Sequence, residues 1–316
     1  MQSINYDRVC LLPRYSEIKS RDDVSTDVEF LGRTFKSPAM PANMACCIDF
    51  KLAEQLSEAG YFYILHRFYP YEEILKWITS SNLQTISISV GVKEIDKQFI
   101  HQFWLNELQA DFITIDVAHG HHILVKEMIE YIKSRFHGRF QPKIIAGNVM
   151  SYDACIDLLN WGADGIKVGL SQGKGCSTYN ATGVGCGMWS SVFNANETDN
   201  SIPIIADGGI REIGDISKAL VAGAHMVMIG SEFARLYESP APFDEFDQNL
   251  KVYYGSASEI NKGHDKYVEG FQQSLPVKYL TYEQYLDKIS QGIRSTMSYA
   301  GITDIRKLPE MGYVLK

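Results

Sequence analysis

The chain has 316 residues, 45% hydrophobic and 22% charged, which excludes the disordered, collagen-like and membrane-embedded classes. A net charge of −8 argues against nucleic acid as a partner, because phosphate contacts need a basic face. The length suits either two small domains or one large α/β barrel.

Met1 to Ser16 carries scattered charge and no apolar run after a basic end, so it does not read as a signal peptide. No stretch of 18 or more apolar residues is present to span a bilayer, so no membrane partner is expected. The six cysteines, at positions 10, 46, 47, 155, 176 and 186, show neither zinc-ligand spacing nor a disulfide framework. A reduced, cytoplasmic chain is expected.

After an irregular stretch up to Ser37, short β-branched or aromatic runs alternate with helical patterns. Strands are predicted at Pro38–Asn43, Tyr61–Leu65, Thr85–Val90, Phe112–Asp116, Lys143–Ala146, Gly165–Val168, Pro203–Ala206 and Met226–Ile229. Helices are predicted at Lys51–Glu58, Tyr71–Ser80, Asp96–Leu108, His122–Arg135, Tyr152–Asn160 and Asp215–Ala222, with Gly60, Gly162 and Gly223 as stop signals. The units average about 24 residues, a normal βα repeat.

A closed parallel (β/α)8 barrel and a doubly wound sheet share this local pattern. Two features favour the barrel. No Gly-rich dinucleotide fingerprint follows the first strand, and polar or Gly-rich sequence collects just after the strand ends, where such barrels build their sites. The expected organisation is one barrel over residues 1–316, with strands at 38–230, a Gly-rich loop at 169–187 and a polar flap at 253–280. Long loops of this kind in compact domains tend to be functional.

The first of these loops places Cys176 among small residues that let backbone and ligand come close, so it is a candidate nucleophile if local charge or amide groups lower its pKa. Asp207-Gly208-Gly209 follows the seventh strand and Gly230-Ser231 the eighth, the place where these barrels hold phosphate. Asp207 suits the acceptance of ribose hydroxyls, so the group points to a nucleoside monophosphate or a phosphosugar. Asp116-Val-Ala-His-Gly-His-His ends the fourth strand. Its histidines lack a carboxylate or thiolate partner at ligand spacing, so a hydrogen-bonding role for Asp116 is preferred over a metal site. Glu269 in the flap is a candidate general acid or base, and Cys46 and Cys47 read as packing residues.

Pro41-Ala-Asn-Met, Asp116-Val-Ala-His-Gly, Ala146-Gly-Asn-Val, the Cys176 loop, Ile205-Ala-Asp-Gly-Gly-Ile, Met228-Ile-Gly-Ser and Tyr254-Gly-Ser-Ala-Ser occur in one colinear series. The chain resembles the IMP dehydrogenase/GMP reductase family from about residue 5 to 305. The likeness is closer to its reductase branch, because no regulatory insertion follows the second strand and the flap lacks an Arg-Tyr pair. The resemblance implies reductive deamination of GMP to IMP with NADPH through a covalent cysteine–purine intermediate in a cytoplasmic homotetramer. By that likeness Cys176 is the nucleophile and Thr178 and Glu269 handle protons. Asp207, Gly208, Gly209, Gly230 and Ser231 match ribose and phosphate positions, Gly255 and Ser256 the base side, and Asp116 the nicotinamide side. Gly173 and Cys176 match a site for a monovalent cation such as K+.

The loop departs from the family pattern at Ser171, which replaces a Gly, at Gln172, which replaces a Pro, and at Gly175 and Tyr179. A less pre-organised loop and a weaker or differently regulated reductase are expected. Two other readings stand beside the reductase: an IMP dehydrogenase without its insert, and a catalytically silent purine-nucleotide sensor.

Overall fold

The computed structural model describes residues 2–136, 138, 140–196, 202–256, 258 and 270–316. Its centre is a parallel sheet of seven strands, β4 (Ala39–Pro41), β5 (Ser87–Val90), β6 (Phe112–Asp116), β7 (Lys143–Val149), β8 (Gly165–Val168), β9 (Ile204–Asp207) and β10 (Met226–Ile229). They lie in the order β4-β10-β9-β8-β7-β6-β5, each next to its chain neighbour except where β10 returns to β4. The sheet curls as a (β/α)8 barrel.

The eighth stave differs from the sequence expectation. Tyr61–Leu65 stands at the free edge of β5 but joins it by a single parallel bridge, Leu65 to Ile88. The Leu65 amide donates to the Ser87 carbonyl at 3.0 Å, and the Ser89 hydroxyl donates to the Leu65 carbonyl at 2.6 Å. Burial rather than ladder bonding holds the segment, since Phe62, Tyr63, Ile64 and Leu65 are all fully buried. Only residues 66–70 separate it from the next helix, α2 (Tyr71–Ser80), so nothing is inserted there.

Side chains alternate across the strands with period two. Met40, Phe112, Ile145, Ile205, Met226 and Met228 belong to one buried cluster inside the barrel. Ile113, Ile144, Ile166, Ile204 and Val227 belong to a second, between strands and helices. By the same alternation Asp116, Gly147, Lys167 and Asp207 take inward positions, two or four residues beyond Phe112, Ile145, Gly165 and Ile205.

The helices lie close to their predicted positions. They include α1 (Phe50–Ala59), α3 (Glu94–Leu105), α4 (Ile123–Arg135), α5 (Tyr152–Trp161) and α8 (Ile213–Val221), with α6 (Thr178–Thr182), α7 (Met188–Asn196) and α9 (Ser231–Ala234) also formed. Gly60 and Gly162 close α1 and α5 in the left-handed conformation at φ +80° and +107°. The segment before Ser37 is more ordered than its composition suggests. It holds β1 (Val9–Leu11) and a hairpin of β2 (Val28–Phe30) and β3 (Arg33–Phe35), turned by Leu31 and Gly32 at positive φ. Phe30 and Phe35 of the hairpin pack on Phe62 at 5.6 and 4.9 Å between ring centres, and so plug one end of the barrel.

Two further pairings frame the molecule. β11 (Leu250–Tyr254) and β12 (Gln272–Pro276) form the antiparallel base of the flap. β13 (Tyr313–Leu315) pairs with β1 after the long helix α10 (Tyr282–Ala300).

Candidate active site

The inward ends of β6, β8 and β9 meet in an ion cluster. Lys167, 2% exposed, places its ammonium 2.9 Å from Asp116 Oδ1 and 2.8 Å from Asp207 Oδ2. A third bond runs to Asn43 Oδ1 at 3.2 Å, so all three ammonium protons have acceptors. Burial pushes the Lys167 ammonium toward neutrality, but Asp116 and Asp207 outweigh it and hold the pKa above the ordinary lysine value. Burial likewise pushes Asp116 up, and Lys167 beside it wins, holding that carboxyl below the usual range. All of this depends on Gly147, because a Cβ there would lie 2.5 Å from the Lys167 Cβ.

Sequence reasoning missed Lys167. The available signal was one lysine in the otherwise apolar run Gly165–Val168, a burial that requires paired acids.

Asp207 is oriented by two donors on the same oxygen. Asn148 Nδ2 reaches Oδ2 at 2.9 Å, beside Lys167, and also donates to the Gly169 carbonyl at 2.7 Å. The other carboxylate oxygen, Oδ1, makes no hydrogen bond to the described residues and belongs to a side chain that lines a cavity. Gly169, at φ +146°, sits so close that a Cβ would be 2.1 Å from the Asp207 carbonyl.

That cavity, about 180 Å³, brings together much of what the sequence singled out: Gly173, Cys176, Thr178, Asp207, Gly208 and the pair Gly255-Ser256. The Cys176 thiol donates to the Thr178 hydroxyl at 3.2 Å. Met44 and Ala118 form apolar wall on another side, and the carboxamide oxygen of Asn148, which also lines it, is buried with no hydrogen-bond partner among the described residues.

Four candidates lie outside its lining. Asp116 is linked to it through Lys167. Gly209 packs on Met188, Gly230 on the Tyr253 hydroxyl, and Ser231 lines a neighbouring cavity. Glu269 lies outside the described residues, but its chain neighbour Gly270 bridges Cys176, and the Phe271 amide donates to the Gly175 carbonyl at 3.0 Å. The flap base is therefore seated directly on the cysteine loop.

The altered loop positions have structural consequences. Ser171 adopts φ +69°, a left-handed conformation unfavourable to a residue with a Cβ. Its hydroxyl donates to the Val184 carbonyl at 2.5 Å, and Gly185 leaves the space it needs. Gly175 is buried, and a Cβ there would meet the Tyr253 ring at 2.8 Å. Tyr253, which the sequence did not single out, thus packs against both the cysteine loop and Gly230.

Other candidates resolve as structural. Cys46 and Cys47 are fully buried, with thiols donating to the Tyr254 and Gly230 carbonyls. His121 pairs with Asp157 at 2.8 Å, and His122 caps α4 by accepting from the Leu124 amide. Among the described residues no group of three His, Cys, Asp or Glu side chains could hold a metal ion, and no helix is long and apolar enough to cross a membrane.

The model of the IMP dehydrogenase/GMP reductase domain matches residues 3–316. The chain belongs to this family. Among curated relatives, a protein named GMP reductase from Leptothrix cholodnii is 44% identical over 319 aligned residues, covering 100% of this chain and 96% of its own. Proteins of the same name from Acidovorax ebreus and Lactobacillus acidophilus are each 42% identical over 319 aligned residues, covering 100% of this chain and 96% and 95% of their own. The cavity lies at the strand ends of β7, β8 and β9, the face on which barrels of this kind build their sites.

Proposed function

We propose that the chain is an oxidoreductase of purine nucleotide interconversion that converts GMP to IMP and ammonia with NADPH. The observation that carries this reading is the Cys176 thiol hydrogen-bonded to Thr178 on the same cavity as Asp207, in a chain of this family.

In this reading Asp207 Oδ1 accepts from the ribose hydroxyls, while Lys167 and Asn148 fix the carboxylate from behind. Gly208, Gly209, Gly230 and Ser231 take the phosphate through backbone N–H groups and the Ser231 hydroxyl. Gly255 and Ser256 face the base. The Cys176 sulfur forms a bond to C2 of the purine, and the bond from C2 to the exocyclic amine breaks. The thiol proton passes through the Thr178 hydroxyl, with Glu269, to the leaving amine, which departs as ammonia. Splitting the displacement into two steps is what a covalent nucleophile offers. Once C2 has gained a hydride, the C–S bond breaks, the sulfur leaves as the Cys176 thiolate and takes back a proton, and IMP is freed.

The residues present suit a nicotinamide carboxamide. The buried, unpaired Asn148 oxygen offers it an acceptor, Met44 and Ala118 offer its ring an apolar wall, and Asp116 stands on that side through Lys167. When bound, NADPH supplies the hydride. A monovalent cation fits less well. The Gly173 carbonyl is engaged by the Cys176 amide at 3.0 Å, which makes the pair a turn rather than an open cradle. The homotetramer and the cytoplasmic location belong to the same proposal.

The test is loss of nicotinamide absorbance on mixing protein, GMP and NADPH. Cys176→Ala should lower the rate by at least about 10³-fold while leaving the circular dichroism spectrum unchanged. Cofactor reduction with IMP and NAD+, and no NADPH loss with GMP, would make the chain a dehydrogenase. Nucleotide binding with neither activity would make it a sensor.

A further inference from the structure

Two of the loops that build the cysteine cavity also build a second one, together with the loop after β10. Lys174 stands between Gly173 and Gly175, Arg211 follows Gly208-Gly209-Ile210, and Ser231 follows Gly230. With Arg235 and Lys278 these residues line a separate space of about 380 Å³. Its lining carries four cations against two carboxylates, Glu212 and Glu232, in a chain whose net charge is −8.

The two carboxylates do not neutralise the cations evenly. Glu232 takes both Lys278, at 2.5 Å, and Arg235, at 3.5 Å. Glu212 precedes α8, its amide donating to Asp215 Oδ2 at 3.1 Å and its carbonyl accepting from the Asp215 amide at 3.0 Å, and its carboxylate makes no ion pair among the described residues. Lys174 and Arg211 are exposed and make no ion pair among the described residues. Buried Ser231 forms the boundary with the phosphate loops. Lys174 and Arg211, which pair with no carboxylate among the described residues, therefore stand beside the loops to which the reading above assigns the phosphate.

We propose that this space is a second anion subsite, which takes one further phosphoryl group, so that nucleoside diphosphates bind in competition with the monophosphate. Lys174 and Arg211 are its specificity-determining residues. The location relative to the nucleotide rests on the reading above, whereas the anion site itself rests on the cations alone.

The experiment measures GDP as an inhibitor of GMP turnover, and inorganic pyrophosphate binding by calorimetry, in the wild type and in K174Q/R211Q. GDP should inhibit the wild type competitively, and the double variant should raise its inhibition constant about tenfold or more while the KM for GMP moves less than about threefold. Pyrophosphate should bind the wild type at least about tenfold tighter than the variant. Equal GDP inhibition and equal pyrophosphate binding in the two proteins, with GMP still turned over, overturn the subsite and leave the reductase reading standing. A pyrophosphate difference without any GMP or GDP binding keeps the anion site and overturns the nucleotide reading instead.

Discussion

Lys167 shows how one buried charge can organise a site. Its three acceptors come from separate chain segments, so it fixes the relative positions of Asn43, Asp116 and Asp207. Removing one partner of a buried ion pair typically costs about 3–5 kcal/mol, because the opposite charge is left uncompensated. Asp116 and Asp207 are 16% and 22% exposed, so the lower end applies, and we expect Lys167→Met to lose about 3 kcal/mol at neutral pH. The pH dependence follows from the shifts. Asp116 is held below its ordinary value, so its contribution is present above the unfolded carboxylate range and is lost as pH falls through the folded pKa. Lys167 is held above its ordinary value, so its contribution is complete below about pH 10 and is lost as pH rises through the folded pKa. In the variant Asp116 loses the cation that holds its pKa down, and acidification relieves the uncompensated charge. Urea unfolding at pH 8 and pH 5 should therefore show the deficit shrinking at the lower pH. A deficit independent of pH would assign the loss to packing.

Among the elements, the loop after β8 carries backbone strain at Ser171. A left-handed residue with a Cβ costs about 1 kcal/mol, and the hydroxyl bond to Val184 returns a similar amount. Two substitutions separate these effects. Ser171→Ala keeps the strain and loses the bond, so it should be destabilised by about 1 kcal/mol, whereas Ser171→Gly loses both and should be near neutral. Equal midpoints for the two variants in denaturant would remove the strain argument. Most elements were legible because they rest on local periodicity: α2 occupies its predicted span and Gly60 and Gly162 act as the stops they suggested. Tyr61–Leu65 was less legible. Its apolar run signals burial, and burial alone does not supply a ladder on both sides. The β2–β3 hairpin escaped notice because its turn uses Leu31-Gly32 in place of a stronger turn pair.

At the scale of the whole molecule, the chain ends support the site. β13 pairs with β1, and Tyr313 packs on Trp189 and Phe193 of α7 at 4.6 and 5.8 Å between ring centres. The N-terminal residues in turn fasten the far end of the cysteine loop: Ser3 accepts from the Gly187 amide and Asn5 from the Met188 amide. Deleting Tyr313–Lys316 should therefore cost about 2 kcal/mol from the lost ladder and aromatic contacts, lowering the thermal midpoint by about 3 °C. An unchanged midpoint would show that the terminal strand bears no part of the fold's stability.

The alternation of strand and helix is readable from local sequence, and the polar strand ends without a dinucleotide fingerprint are what turn it toward a barrel. The sequence by itself also placed Cys176, Asp207 and the glycines at strand ends, because period, turn chemistry and chain order are local properties. Tertiary structure alone decided what those residues touch. The Cys176–Thr178 bond lies within the loop's own fold, but Lys167 acquires its acids from β6 and β9, and Gly175 acquires Tyr253 from the flap. Those partners are distant in sequence and meet only because a curled parallel sheet turns its inward residues toward one axis, which no local pattern encodes.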